Sequence, residues 1–160
     1  MRRRDLLTEQ TARFPNRQQM TRVALFEYMI SNVDWSVPAG HNIKLIVPKE
    51  DTNDIPYPVP YDFDHSGLVK TDYALPPPNI DIQDVTERRY RGFPRQMEEL
   101  QIVVDEFNQQ KESVYQLING FELLSTSTRK DMIGFLKGFY NVLSKPNSVN
   151  TEFIKNARKE

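Results

Sequence analysis

Apolar residues recur at three- and four-residue spacing at Met20, Val23, Ala24, Phe26 and Ile30, a broad stripe that predicts a buried helix over residues 16–31. Pro38 and Gly40 then interrupt regular structure, so a loop is expected from Asn32. Ile43 to Val47 has the apolar, β-branched character of a strand, and Tyr57 to Phe63 that of an extended partner, with polar Lys49 to Asp54 as the connecting loop. Pro58 and Pro60 have no N–H for a ladder, so the partner is expected to be an edge strand or to pair only in part. The run Ala74-Leu-Pro-Pro-Pro-Asn79 favours polyproline II, and coil is expected to dominate from Ser66 to Gly92. Helical spacing returns at Met97, Leu100, Val103, Val104, Phe107, Val114, Leu117 and Ile118, with Pro94 as first helical residue, and predicts the longest helix. Thr128 followed by Asp131 reads as a capping box for a further helix carrying Met132, Leu136, Phe139, Tyr140 and Leu143, which stops before Pro146. A short last helix is expected from an Asn150 cap.

This order of elements, without alternating strands and helices, predicts an α+β fold that is mostly helical with one small β-hairpin. A chain of 160 residues is long enough for one core, so residues 1–160 are read as a single domain. Its parts are a buried helix (16–31), an acidic loop and hairpin (32–67), an extended arm (68–93) and a helical C-terminal part (94–160).

Composition narrows the chemistry. With 21 basic and 22 acidic side chains there is no general attraction to nucleic acid or anionic lipid, and no nucleic-acid partner is expected. The absence of cysteine removes disulfides, thiol catalysis and thiolate metal sites, leaving carboxylate, amide and imidazole as ligands. No apolar run approaches the roughly 20 residues of a membrane span. The start, Met1 to Asp5, is basic like a secretory n-region, but Thr8, Glu9 and Gln10 follow Leu6-Leu7 and no apolar h-region develops, so a cytoplasmic location is the default expectation.

The residues that attract attention are Asp34, in the loop after the first helix, Asn42, at the start of the first strand, and Asp62 and Asp64, at the exit of its partner. In an antiparallel hairpin the start of one strand faces the exit of the other, which brings Asn42 and Asp62 to one end. Alternation along an extended chain would turn Asp62 and Asp64 to one face and Phe63 to the core. Hard oxygen ligands of this kind suit magnesium. An aspartate beside the acceptor, with an asparagine and an aspartate on metal, is the division of labour that phosphoryl transfer uses. Each residue also has a plainer reading, as a turn, cap or loop-closing side chain.

The stretches Asn32-Val-Asp-Trp-Ser, His41-Asn-Ile-Lys-Leu and Pro58-Val-Pro-Tyr-Asp-Phe-Asp-His-Ser-Gly-Leu-Val69 resemble the catalytic segment of the spore-coat CotH-type atypical protein kinases. They are closer still to a group of bacterial proteins sharing the tyrosine-aspartate-phenylalanine-aspartate-x-serine-glycine run. The resemblance implies a kinase-like C-terminal lobe in which Asp34 is the catalytic aspartate, Asn42 and Asp62 are metal ligands and Asp64 joins them. It also implies Mg or Mn with ATP as cofactors. Kinases of this kind carry an N-terminal lobe with a lysine that reaches the nucleotide phosphates. Here 33 residues precede Asp34, the first lysine is Lys44 and the glycines are scattered, so the resemblance implies a C-terminal lobe alone, inactive by itself. Its expected partners are a separate N-terminal lobe or a second copy of the chain.

Two other readings stand beside this one. A non-enzymatic interaction domain would keep the fold and use its surface. A metal-dependent hydrolase would combine His41 and His65 with Asp62 and Asp64. Trp35 and Tyr61 are expected to pack under the loop rather than stack on a base. Arg88, Arg89, Arg91 and Arg95 form the densest basic stretch, and are expected to pair with the acidic hairpin, because buried guanidiniums need compensation.

Overall fold

The first helix forms where the apolar stripe predicts it. In the computed structural model, which describes residues 15–49 and 54–158, α1 spans Arg17–Ile30. The basic start at Met1–Asp5 and loop residues 50–53 lie outside the described residues. Asn16 caps α1, its side-chain oxygen accepting the Gln19 amide at 2.9 Å, and Ser31 ends it in the left-handed region at φ 55°. Its burial is wider than a stripe: Leu25, Glu27 and Tyr28 are buried together with Met20, Val23, Ala24 and Ile30. The reason is position, since α1 is the central element and touches β2, α2 and α3, defined below.

The hairpin is shorter than the sequence predicts. β1 is Ile43–Ile46 and β2 is Tyr57–Pro60, paired antiparallel with Ile43 opposite Pro60 and Ile46 opposite Tyr57. Ile43 and Pro58 turn to the core, while Ile46, Tyr57 and Val59 face outward and are exposed. β2 ends at Pro60 because Asp62 adopts φ 61°, which breaks the extended run. Phe63 still reaches the core side, edge-on to Phe26 at 5.3 Å between ring centres, but through this turn and not through strand alternation.

No helix or strand occurs from Tyr61 to Gln96, as the proline content led one to expect. This arm is nevertheless anchored to the end of α1. Gly67 N donates to Ser31 O and Leu68 N to Ile30 O, both at 3.0 Å, while Ser31 Oγ donates to Val85 O at 2.8 Å. A side chain at Gly67 would strike the Val85 carbonyl oxygen and come within 2.7 Å of Thr86 Cα, both backbone atoms that cannot swing aside. Gly67→Ala is therefore expected to cost about 1–3 kcal/mol by overpacking. Chemical denaturation checks this, and an unchanged midpoint would mean that the arm gives way freely.

Among the described residues the C-terminal part holds three α-helices, with three corrections at their starts. α2 is Met97–Gly120; its first residue is Met97, not Pro94, and Gln96 caps it, its N donating to Glu99 Oε2 at 3.2 Å. α3 is Thr126–Leu143, capped by Ser125, whose hydroxyl oxygen accepts the Thr128 amide at 3.0 Å. The expected Thr128–Asp131 box is thus inside the helix; the serine upstream was the better cap because its side chain reaches the free N–H groups. α4 is Pro146–Asn150, with Pro146 as its first residue, and it continues as a π-helical turn over Thr151–Lys155, so Asn150 is no cap.

The core is aromatic where α1 meets these helices. The Tyr28 ring lies 4.9 Å from Phe153, 6.2 Å from Phe139 and 6.3 Å from Tyr90, mostly edge to face. Leu100, Val103, Val104 and Leu136 complete it. The fold is thus mixed α+β and mostly helical, with one two-stranded antiparallel sheet among the described residues. No helix among those residues is long and apolar enough to cross a membrane.

Candidate functional site

Asp34 follows the left-handed Ser31 in a loop whose shape is set by side chains reaching the backbone. Asn32 is fully buried, and its side-chain oxygen accepts the Asp34 amide at 3.0 Å. Ser36 and His41 then exchange backbone hydrogen bonds at 2.9 Å, closing the turn through Pro38 and Gly40. This closure folds His41 and Asn42 back over Asp34. His41 Nε2 lies 2.9 Å from Asp34 Oδ1, and Asn42 Nδ2 donates to Asp34 O at 2.8 Å and to Asp34 Oδ2 at 3.1 Å. Two acceptors on one side fix the orientation of the Asn42 amide, with its nitrogen toward Asp34 and its oxygen away. Asn42 is buried and sits at φ 52°, a conformation that asparagine tolerates better than most residues.

Asp62 and Asp64 form a second group. Asn42 O accepts the Tyr61 amide at 3.0 Å, so Asp62 follows directly on the pairing that carries Asn42. Asp64 Oδ2 accepts the Tyr73 hydroxyl at 3.0 Å, and the Asp62 side chain acts on the Asp64 carboxyl. Partial desolvation works to raise the Asp64 carboxyl, but the Tyr73 hydroxyl, the contact with Asp62 and the nearby His65 outweigh it and hold it below its ordinary range. His65 packs edge-on to Tyr73, 5.8 Å between ring centres.

The structure therefore joins Asp34, His41 and Asn42 in one group, and Asp62 and Asp64 with Tyr73 in another. Among the described residues no set of three or more histidine, aspartate or glutamate side chains converges to hold a metal ion. His41 is engaged with Asp34 and His65 with Tyr73, so the two histidines do not assemble the site that a hydrolase reading needs. A groove of about 480 Å³ is apolar, lined by Val23, Phe26, Phe63, Phe107 and Val114 among others, and holds none of these acidic residues.

The arginine stretch corrects an expectation. None of Arg88, Arg89, Arg91 and Arg95 pairs with Asp34, Asp62 or Asp64 among the described residues. Arg88 Nη2 donates to Phe135 O at 2.8 Å and to Met29 O at 3.3 Å, and its guanidinium stacks 3.9 Å over the Phe135 ring. Arg91 Nη1 donates to Val33 O and, at 2.8 Å, to Trp35 O, the carbonyls flanking Asp34, and lies over the Trp35 ring. Arg95 donates to Thr21 Oγ1 at 3.0 Å, and Arg89 sits 3.9 Å from Asp81. For Arg88 and Arg91, backbone carbonyls near the end of α1, within α3 and in the loop take the place expected of carboxylates. Burial, then the neighbouring Arg158, press the Arg91 guanidinium below its usual range, and Asp34 works the other way. Trp35 is buried under the loop as expected, whereas Tyr61 is exposed with Lys44 over its ring at 4.8 Å.

No family model, curated protein or solved structure matches the chain.

Sequence reasoning missed Glu27. Its side chain is 1% exposed and neither oxygen has a hydrogen-bond partner. Burial pushes its carboxyl up to about 8; the Asn32 side chain lowers it and Asp34 adds to the rise. The Asn32 amide is thus its polar neighbour, although the geometry falls short of a hydrogen bond, since Asn32 Nδ2 is also without a partner. The signal was present: Glu27 stands seven residues after Met20, four after Val23 and three after Ala24, on the buried stripe itself.

Proposed function

We propose that the loop and hairpin form the acceptor and metal side of a kinase-like phosphoryl-transfer site, acting together with a nucleotide-binding lobe. The observation that carries this reading is the Asn42 amide, whose nitrogen holds both the carbonyl and the carboxylate of Asp34. One residue thereby orients a carboxylate and turns a hard oxygen away from it. In this reading Asp34 accepts the proton of the hydroxyl that attacks the phosphate, and His41 and Asn42 keep its carboxylate in one orientation. Arg91 fastens the loop by its bonds to Val33 and Trp35 on either side.

Asn42, Asp62 and Asp64 would hold Mg²⁺ or Mn²⁺. The donors are of the right type, since all three offer oxygen, and the Tyr61 amide that pairs with Asn42 O brings Asp62 next to Asn42 along the chain. Such an ion, when bound, neutralises charge on the phosphates of ATP. The left-handed backbone at both Asn42 and Asp62 is further support, since strain of this kind persists where the surroundings enforce it and gathers at functional sites.

Manganese is the test. Titrating Mn²⁺ into isotope-labelled protein is expected to broaden the amide resonances of Asn42, Asp62 and Asp64 first, and Asp62→Asn with Asp64→Asn is expected to abolish that preference. Broadening that spreads evenly over the acidic surface, or none at all, would end the metal assignment.

A non-enzymatic interaction role is favoured by a different observation. Ile46, Tyr57 and Val59 are exposed together on the outer face of the hairpin, with Ile46 directly opposite Tyr57. Ile43, on the opposite face of the hairpin, is buried. An apolar sheet face suits a protein partner. Loss of localised manganese broadening would leave this as the better reading.

A further inference from the structure

Beneath the Asp34 loop lies a buried acid to which the phosphoryl-transfer reading gives no role. Native interiors seldom leave polar side chains unpaired, yet both oxygens of Glu27 and the Asn32 amide nitrogen are so placed at the end of α1. We propose that Glu27 is a positioning residue that acts on Asp34 through Asn32.

The connection runs through named atoms. Asn32 N donates to the Glu27 carbonyl at 2.8 Å, so the backbone of Asn32 is set by the residue whose carboxyl adjoins its side chain. The other end of that side chain, Asn32 Oδ1, accepts the Asp34 amide at 3.0 Å. A fully buried asparagine therefore spans from Glu27 to the backbone of Asp34, and any shift of the Glu27 carboxyl is passed on to the loop. Packing leaves no slack for a compensating movement, because both Glu27 and Asn32 are 1% exposed.

The charge state of Glu27 decides what is passed on. As the neutral acid it adds no negative charge beside Asp34, and its O–H becomes available as a donor. As the carboxylate it faces Asp34 from the buried side with no cation to offset it. Arg17 and Arg22 on the same helix are paired with Glu99 and Glu106 of α2. Arg88 and Arg91 donate to backbone carbonyls, and Arg95 donates to Thr21. Asp34 is the charged group that acts on Glu27, and Asn32 is the polar one. Loss of the Glu27 proton is therefore expected to draw the Asn32 amide nitrogen toward the carboxylate, which it favours, and so to shift the hold of Asn32 on Asp34. Burial places that loss near pH 8.

The importance of this connection rests on the reading of Asp34 as the acceptor-side carboxylate, but its test does not, because it reads the loop and not an activity. The Asp34 amide reports on Asn32 through the hydrogen bond at 3.0 Å. In the wild-type protein the Asp34 amide resonance, followed from pH 5 to about pH 10, is expected to show an inflection near pH 8. Glu27→Gln, neutral at every pH, is expected to abolish that inflection, with an unchanged far-ultraviolet spectrum. Asn32→Ala supplies the second variant: the carbon resonance of the Glu27 carboxyl should still titrate, while the Asp34 amide no longer senses it. No inflection near pH 8 in the wild type, or one that survives in Glu27→Gln, overturns the proposal, and either result leaves the manganese test untouched.

Discussion

Replacing Glu27 by glutamine is expected to stabilise the protein at alkaline pH. A carboxyl that titrates at about 8 in the folded chain, against an ordinary value of 4.5, keeps a proton that the unfolded chain has already released. Between those two values the folded state binds more protons than the unfolded state, so stability falls as pH rises. The contribution is fully present below the ordinary carboxylate range and is lost as pH passes through the folded value. A tenfold fall in proton concentration across that window removes about 1.4 kcal/mol, so the loss amounts to roughly 5 kcal/mol by pH 9. Glutamine has nearly the same shape and no charge to bury, so the variant should escape that loss while differing little from the wild type at pH 4. Thermal unfolding should then place the variant on the order of 10 °C above the wild type at pH 9. Parallel stability profiles for the two proteins across pH 5 to about pH 9 would mean that water or a rearrangement satisfies the Glu27 carboxylate.

The second large effect belongs to the aromatic core. Phe139 of α3 is fully buried and touches Tyr28 of α1, Phe107 of α2 and Tyr140 beside it, with ring centres between 5.1 and 6.2 Å apart. Truncation to alanine removes the ring from three helices at once, and those helices meet nowhere else with so many aromatic contacts. Phe139→Ala is expected to cost about 3–5 kcal/mol, the transfer term plus a cavity that α1 is too constrained to close. Urea denaturation would show this as a lower midpoint with a similar slope. A loss below about 1 kcal/mol would indicate that the helices collapse into the space.

These two residues also mark how differently parts of the molecule could be read in advance. Phe139 was legible: it recurs with Leu136, Tyr140 and Leu143 at helical spacing, and burial followed. Glu27 obeys the same spacing on α1, but its charge made it look like a residue for the solvent face. The arginines show the opposite error. They were expected to pair with the acidic hairpin, but the partners of Arg88 and Arg91 are carbonyls of Met29, Val33, Trp35 and Phe135, which sequence letters do not distinguish from any other backbone group.

Local chemistry along the chain was sufficient for α1, for the two apolar strands and for the coil from the prolines onward. Each depends on neighbours within a few residues, through periodicity, capping or the missing N–H of proline. The grouping of Asp34 with Asn42 was only half visible. Both were singled out as polar residues at element boundaries, but it is the Ser36–His41 closure that folds one over the other, and the buried Asn32 that sets the angle. The isolation of Asp62 and Asp64 with Tyr73 arose from a left-handed turn at Asp62, whose cost is met by tertiary surroundings that no periodicity encodes. Whether a polar group is buried, and against what, is settled when distant segments meet: Gly67 and Val85 close over Ser31, α2 and α3 over α1, and the end of α1 becomes the floor of the loop.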